Sequence, residues 1–156
     1  MALLHELYNL SEENRRFLHA RLLPRSSAET LADTKRQMKR LLSRSAVWDD
    51  SFQHAEVKRL IDQYAKATKD PVAIADLLVT DLEMAFATFS KVGDFEPIVD
   101  HLYSTLHRLD KLIPTVPTNS LETLVDRIDE MARRWGNSFG YGISDELVAF
   151  ASELHR

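Results

Sequence analysis

Apolar residues recur at helical spacing along nearly the whole chain, and capping residues punctuate the recurrence. Leu3, Leu4, Leu7 and Tyr8 form a short first stripe. Ser11 followed by Glu12 and Glu13 has the form of an N-cap with negative charge in the first turn, where it suits the helix dipole. It predicts a second helix that runs to about Leu23 and stops before Pro24. Ser26-x-x-Glu29 is a capping-box pattern and opens a third helix over about 27–44. The apolar positions of this helix, Leu31, Met38, Leu41 and Leu42, make a thin stripe, so most of its surface should face water. A loop over 45–52 carries Trp48 and Phe52, expected to tuck into the core.

Beyond the loop, Val57, Leu60, Ile61, Tyr64 and Ala65 share one helical face. Asp70-Pro71 is an N-cap followed by proline in the first helical position, which fixes the start of the next helix. That helix, 71–91, is apolar nearly all round except for a narrow stripe of Asp76, Thr80 and Glu83, and is expected at the centre of the fold. Gly93 ends it, Asp94 caps the following one, and Pro97 falls in the first turn of a helix over 95–112. Its buried face is Ile98, Val99, Leu102, Tyr103, Leu106 and Leu109. After a loop with Pro114 and Pro117, Asn119-x-x-Glu122 opens a helix with Leu121, Leu124, Val125, Ile128, Met131, Ala132 and Trp135 inward. Ser144 caps a last helix with Leu147, Phe150, Ala151 and Leu154.

No run of alternating β-branched residues is long enough for a strand. The pattern predicts a single all-helical domain, residues 1–156, of about eight helices, two of them short. Their short connections favour antiparallel hairpins stacked as a helical bundle or a short α-α superhelix. The one long departure from helix is Arg133-Arg134-Trp135-Gly136-Asn137-Ser138-Phe139-Gly140-Tyr141-Gly142-Ile143, which holds three of the chain's four glycines.

Three pieces of the chain carry a family resemblance. They are Leu7-Tyr8-Asn9-Leu10-Ser11-Glu12-Glu13-Asn14-Arg15-Arg16-Phe17-Leu18, the apolar helix ending in Gly93-Asp94, and Trp135-Gly136 through Gly140-Tyr141-Gly142 to Asp145-Glu146-Leu147. In order and spacing the chain resembles an uncharacterised family of small all-helical bacterial proteins of unknown function. The resemblance implies the fold and brings no catalytic residues with it.

Composition narrows the chemistry. The chain has no cysteine, which excludes disulfides, thiolate metal sites and a cysteine nucleophile, and fits a reducing cytoplasm. No apolar run approaches the ~20 residues that cross a bilayer. The first eight residues lack a basic stretch and carry Glu6, unlike a secretory signal. A cytoplasmic protein with no membrane partner is therefore expected. Histidines at 5, 19, 54, 101, 107 and 155 make no i, i+4 pair, and His101 and His107 point to different sides of one helix, so no metal site is read. Asp100-His101 and the carboxylates of Asp76, Asp81 and Glu83 are expected on the surface, because nothing signals desolvation of a pair. Hydrolase elbows, metalloprotease helices and EF-hand loops are absent from the sequence. The reading is thus non-enzymatic, with no catalytic residue and no cofactor.

Net charge is −4 but unevenly placed: residues 1–60 carry +3 and residues 61–156 carry −7. Two function classes follow, with a ligand site as a third. Stacked helices would serve as a protein–protein interaction module, with another copy or another chain as partner. Alternatively Lys35, Arg36, Lys39, Arg40 and Arg44, clustered on one side of the third helix, would track nucleic-acid phosphates. The glycine-rich segment is either a wide turn plugged by its aromatics or a small ligand or anion site. As a site it would use Arg133, Arg134, Trp135, Asn137 and Tyr141 beside the start of the last helix.

Overall fold

The computed structural model describes residues 27–43, 53–92, 96–137 and 142–156. By its contacts the chain divides into two units, Met1–Thr30 and Leu31–Arg156. The description below concerns the second. The described residues are all-helical, with no strand. They hold six α-helices rather than about eight: α1 (Ser27–Leu41), α2 (His54–Thr68), α3 (Pro71–Val92), α4 (Glu96–Leu112), α5 (Thr118–Trp135) and α6 (Ile143–Glu153). A 3₁₀ turn, Ile113–Thr115, lies between α4 and α5. The helices expected over residues 3–8 and 12–23 fall outside the described residues, as do Arg44, Trp48, Phe52, Gly93, Asp94, Gly140 and Tyr141.

α3 is the interior rod. Leu77, Leu78, Val79, Leu82, Ala85, Phe86 and Phe89 on it are all buried, and together they leave no continuous solvent face along the middle of the helix. Its start is as the sequence requires. Pro71 occupies the first helical position, where its missing N–H costs nothing, and the Val72 N–H donates to Asp70 Oδ1 at 3.0 Å. α2 reaches it across only Lys69 and Asp70. Lys69 adopts a left-handed conformation (φ 53°), and its N–H donates to the Ala65 carbonyl oxygen at 3.0 Å, closing the end of α2 without a glycine.

α2, α4 and α5 each pack against α3, and α6 rests on α4 and α5. The inward stripes follow the periodicity: Val57, Ile61 and Tyr64 from α2; Ile98, Val99, Leu102, Leu106 and Leu109 from α4; Leu124, Ile128, Met131 and Trp135 from α5. Trp135 stacks on Phe86 with ring centroids 5.4 Å apart, which joins α5 to the rod. From α1, Met38 and Leu42 enter the same core.

Two helix starts differ from the sequence expectation. α5 begins at Thr118, with Pro117 rather than Asn119 in the capping position and no side-chain cap. The extended backbone of Pro117 (φ −57°, ψ 139°) hands the chain directly into the helix, so Asn119 lies inside the first turn. α6 begins at Ile143 after Gly142, which is left-handed (φ 71°). Ser144 is therefore inside α6, buried, and its hydroxyl donates to the Trp135 carbonyl oxygen at 3.0 Å. It satisfies the free carbonyl end of the preceding helix instead of the amide end of its own. Gly136 is right-handed (φ −60°). Its requirement is closeness, since a Cβ there would meet the Ala132 carbonyl oxygen and lie 2.8 Å from Val148 Cγ2 on α6.

Placing an unpaired carboxylate on the rod, as in Leu78→Asp or Phe86→Asp, is expected to abolish cooperative thermal unfolding followed by circular dichroism, because both sites are 0% exposed. Gly142→Ala is expected to cost roughly 1–2 kcal/mol in denaturant unfolding, since an L side chain is strained at its positive φ.

Candidate functional site

Where α1 ends against α3, the two helices leave a groove of about 780 Å³. Arg36, Lys39 and Arg40 from α1 and Lys91 from α3 stand along it, and Leu42, Met84 and Ala87 supply apolar lining. Thr88 fixes the geometry: its buried hydroxyl donates to the Leu42 carbonyl oxygen, one of the carbonyls that a helix end leaves unpaired. Lys39, Arg40 and Lys91 are exposed and have no carboxylate partner among the described residues. Arg36 reaches Asp33 one turn back at 2.8 Å, an exposed pair of little strength.

The five basic residues read together from the sequence therefore part company. Lys35 turns away from the groove and bridges to Asp76 on α3 at 2.6 Å. Arg36, Lys39 and Arg40 line the groove, and Arg44 lies outside the described residues. Lys91, one turn beyond Ala87, joins the cluster from the other helix. Sequence spacing along α1 gave no means of finding it, because its nearness depends on how α1 lies on α3.

The polar stripe of α3 is occupied by Arg127. From α5 its guanidinium grips Glu83 through two bonds, Nε to Oε1 at 2.8 Å and Nη2 to Oε2 at 2.7 Å. It also pairs with Asp76 and donates to Thr80 Oγ1 at 2.9 Å. Hydrogen bonding to Glu83 raises the Arg127 pKa above its already high value, outweighing the opposing effect of burial. With Lys35 on Asp76, this half-buried network ties α1, α3 and α5 together.

A second polar cluster is fully buried. Asp81 (0% exposed) on α3 accepts from His101 Nε2 at 2.8 Å through Oδ1 and from Thr105 Oγ1 at 2.7 Å through Oδ2. The other ring nitrogen of His101, Nδ1, lies 2.6 Å from Nδ1 of the half-buried His54 at the start of α2. Burial lowers the His54 pKa from its ordinary 6.5, and His101 lowers it further, while Asp81 pulls it up, Lys58 down and Asp100 up. The sequence reading put Asp81 and His101 on the surface, and the structure corrects this. The signal was present: His101 is three residues after Ile98 and four before Thr105, on the buried face of α4, and Asp81 interrupts an apolar run between Val79 and Leu82.

Of the residues proposed around the glycine-rich turn, Arg134 lies over the Trp135 ring at 5.0 Å, and both line a cleft of about 450 Å³ with Glu83, Asp126 and Glu130. Arg127 lines the same cleft, so carboxylates and guanidinium groups are mixed along it. Arg133 is exposed and bound to Glu130, Nε to Oε2 at 2.9 Å, and Asn137 is exposed. Tyr141 lies outside the described residues. Among the described residues no group of three or more His, Asp or Glu is arranged to hold a metal ion, and no helix is long and apolar enough to cross a membrane.

Removing the guanidinium in Arg127→Met would leave Asp76 and Glu83 facing each other half-buried and short of a cation. The expected cost is about 2–3 kcal/mol in denaturant unfolding, with Arg127→Lys recovering only part of it because an ammonium lacks the two-pronged grip on Glu83.

No family model, curated protein or solved structure matches the chain.

Proposed function

We propose that this chain is a non-enzymatic helical protein–protein interaction module, and that it docks an acidic amphipathic segment of a partner protein in the groove between α1 and α3. The reading keeps it with the small all-helical bacterial proteins it resembles and takes its helices as antiparallel hairpins stacked into a rigid support. The observation that carries it is the set of three cations with no carboxylate partner among the described residues, Lys39, Arg40 and Lys91, around an apolar lining of Leu42, Met84 and Ala87. Cations at a rim steer an oppositely charged partner and fix its orientation, while the apolar strip supplies the burial that holds it. A helix with one apolar stripe flanked by Asp and Glu matches both features. Lack of cysteine fits a cytoplasmic setting.

The alternative is a nucleic acid tracked by the same basic face. It is the weaker reading. Lys35 is spent on Asp76, Arg36 is shared with Asp33, and none of the described residues lining the groove is an aromatic on which a base would stack.

Selection from a display library of helical peptides, followed by fluorescence anisotropy at low and physiological salt, distinguishes the two. The expected result is enrichment of acidic amphipathic peptides whose affinity falls at least roughly tenfold in the Lys39→Glu, Arg40→Glu double variant. Enrichment without acidic character, affinity indifferent to the charge reversal, or tighter binding to single-stranded RNA or duplex DNA would each overturn the proposal.

A further inference from the structure

We infer that His54, His101 and Asp81 form a pH-sensitive latch, which holds the first turn of α2 against α3 and α4 while a single hydrogen lies between the two imidazoles and releases it when His54 takes up a further proton. This is independent of the groove and of any partner.

The inference begins at the buried end. Asp81 is an acceptor on both oxygens, with the Thr105 hydroxyl on Oδ2, so His101 Nε2 must carry the hydrogen that faces Oδ1. That fixes what His101 Nδ1 can do. If the ring is neutral, Nδ1 is a lone pair and accepts from His54 Nδ1–H; if the ring is charged, it donates to a His54 lone pair. Either arrangement places one hydrogen in the 2.6 Å gap. Two charged rings would place two there, with like charges in contact.

The fold also determines which partner leaves. His101 is 1% exposed and tethered to Asp81, whereas His54 is half-buried and opens the helix. As the first residue of α2, His54 sits at the positive end of the helix dipole, where a cation is disfavoured. The elements packed on α2 are α3 and α4. Among the described residues, the titratable groups acting on His54 are Asp81 from α3, His101 and Asp100 from α4, and Lys58 on α2 itself. Burial, His101 and Lys58 together outweigh Asp81 and Asp100, so the surroundings of His54 do not favour a second charge on the pair. The rest of α2 stays in place on Ile61 and Tyr64 and on the Asp62–Arg108 ion pair at 2.8 Å, which makes release local.

The sign of the pH dependence follows. In the folded chain His54 takes up a proton less readily than in the unfolded chain, so its contribution is complete above pH 6.5 and is lost as the pH falls below it.

The test is amide hydrogen exchange of the full chain between pH 7.5 and pH 5.5, corrected for intrinsic rates, in wild type and His54→Gln. Protection of the amides of residues 56–60 is expected to fall about tenfold in wild type, with α3 and α4 unchanged. In His54→Gln, whose side-chain amide donates to His101 Nδ1 but does not titrate, protection should stay constant. Imidazole ¹⁵N spectra of the unsubstituted protein at pH 7.5 give a second reading, in which one Nδ1 of the pair is protonated and the other is not. The inference is overturned by unchanged protection in wild type, by the same fall in His54→Gln, by loss of protection throughout the molecule at once, or by two rings that titrate independently.

Discussion

Burial of α3 is the constraint on which the rest depends, and its consequence is that each polar side chain along its buried length has a partner. Asp76 meets Arg127 and Lys35; Thr80 and Glu83 meet Arg127; Asp81 meets His101 and Thr105; Thr88 meets the Leu42 carbonyl. The partners come from α1, α4 and α5 and from the residue just beyond α1, so the rod is read by its neighbours from different sides. Apolar contact is non-directional, and a surface of Leu, Val, Ala and Phe would accept several rotations and slides of a neighbouring helix. Only one arrangement satisfies all five polar residues at once. The hydrophobic effect drives assembly, and the polar contacts select its register, because a slipped helix would leave a buried carboxylate without a partner.

This division of labour explains what the sequence discloses. Local signals translate well: Asp70-Pro71 starts α3 with the side-chain cap its spacing implies, and the stripes of α2, α4 and α5 face the core, with Leu60, Tyr103, Leu121 and Ala132 only partly buried at their edges. Signals that depend on another helix translate badly. Ser144 has the form of an N-cap, but it follows a left-handed Gly142 and serves the carbonyl of Trp135 nine residues back. Gly136 has the form of a helix-ending glycine in a left-handed conformation, yet it is right-handed and is required by Val148 across the turn. Lys69 does the reverse, adopting the left-handed conformation with no glycine to announce it. Ser144 and Gly136 each meet an atom from across the turn, which short-range pattern does not relate to them, whereas Lys69 closes on Ala65 within its own helix.

Charge asymmetry along the chain has the same dual origin. The basic stretch of α1 is partly an internal counter-charge and partly an outward face, and the boundary falls between neighbours. Lys35 compensates Asp76 on the rod, whereas Lys39 and Arg40, one turn further, line the groove and meet no carboxylate among the described residues. Helical spacing alone puts Lys35 and Lys39 on one side. The end of α1, pinned by Thr88, determines that the second of them lies over Met84 and Ala87 rather than over a carboxylate. The candidate surface thus exists because the acidic stripe of α3 ends at Glu83 while the basic stripe of α1 continues.

The two polar clusters on α3 differ in a way that matters for function. Around Arg127 two carboxylates face two cations whose charge does not change near neutrality, so that network is a fixed joint. Around Asp81 the counter-groups are imidazoles, which are the side chains that change charge closest to physiological pH. An asparagine with a neutral polar partner would avoid burying a carboxylate, at smaller desolvation cost, but it would accept only one of the two hydrogen bonds, because its amide nitrogen donates. A carboxylate that orients one histidine against a second gives something those residues do not: a contact whose strength depends on a single proton. Its outer member is the residue that begins α2, so the proton count is coupled to the attachment of that turn.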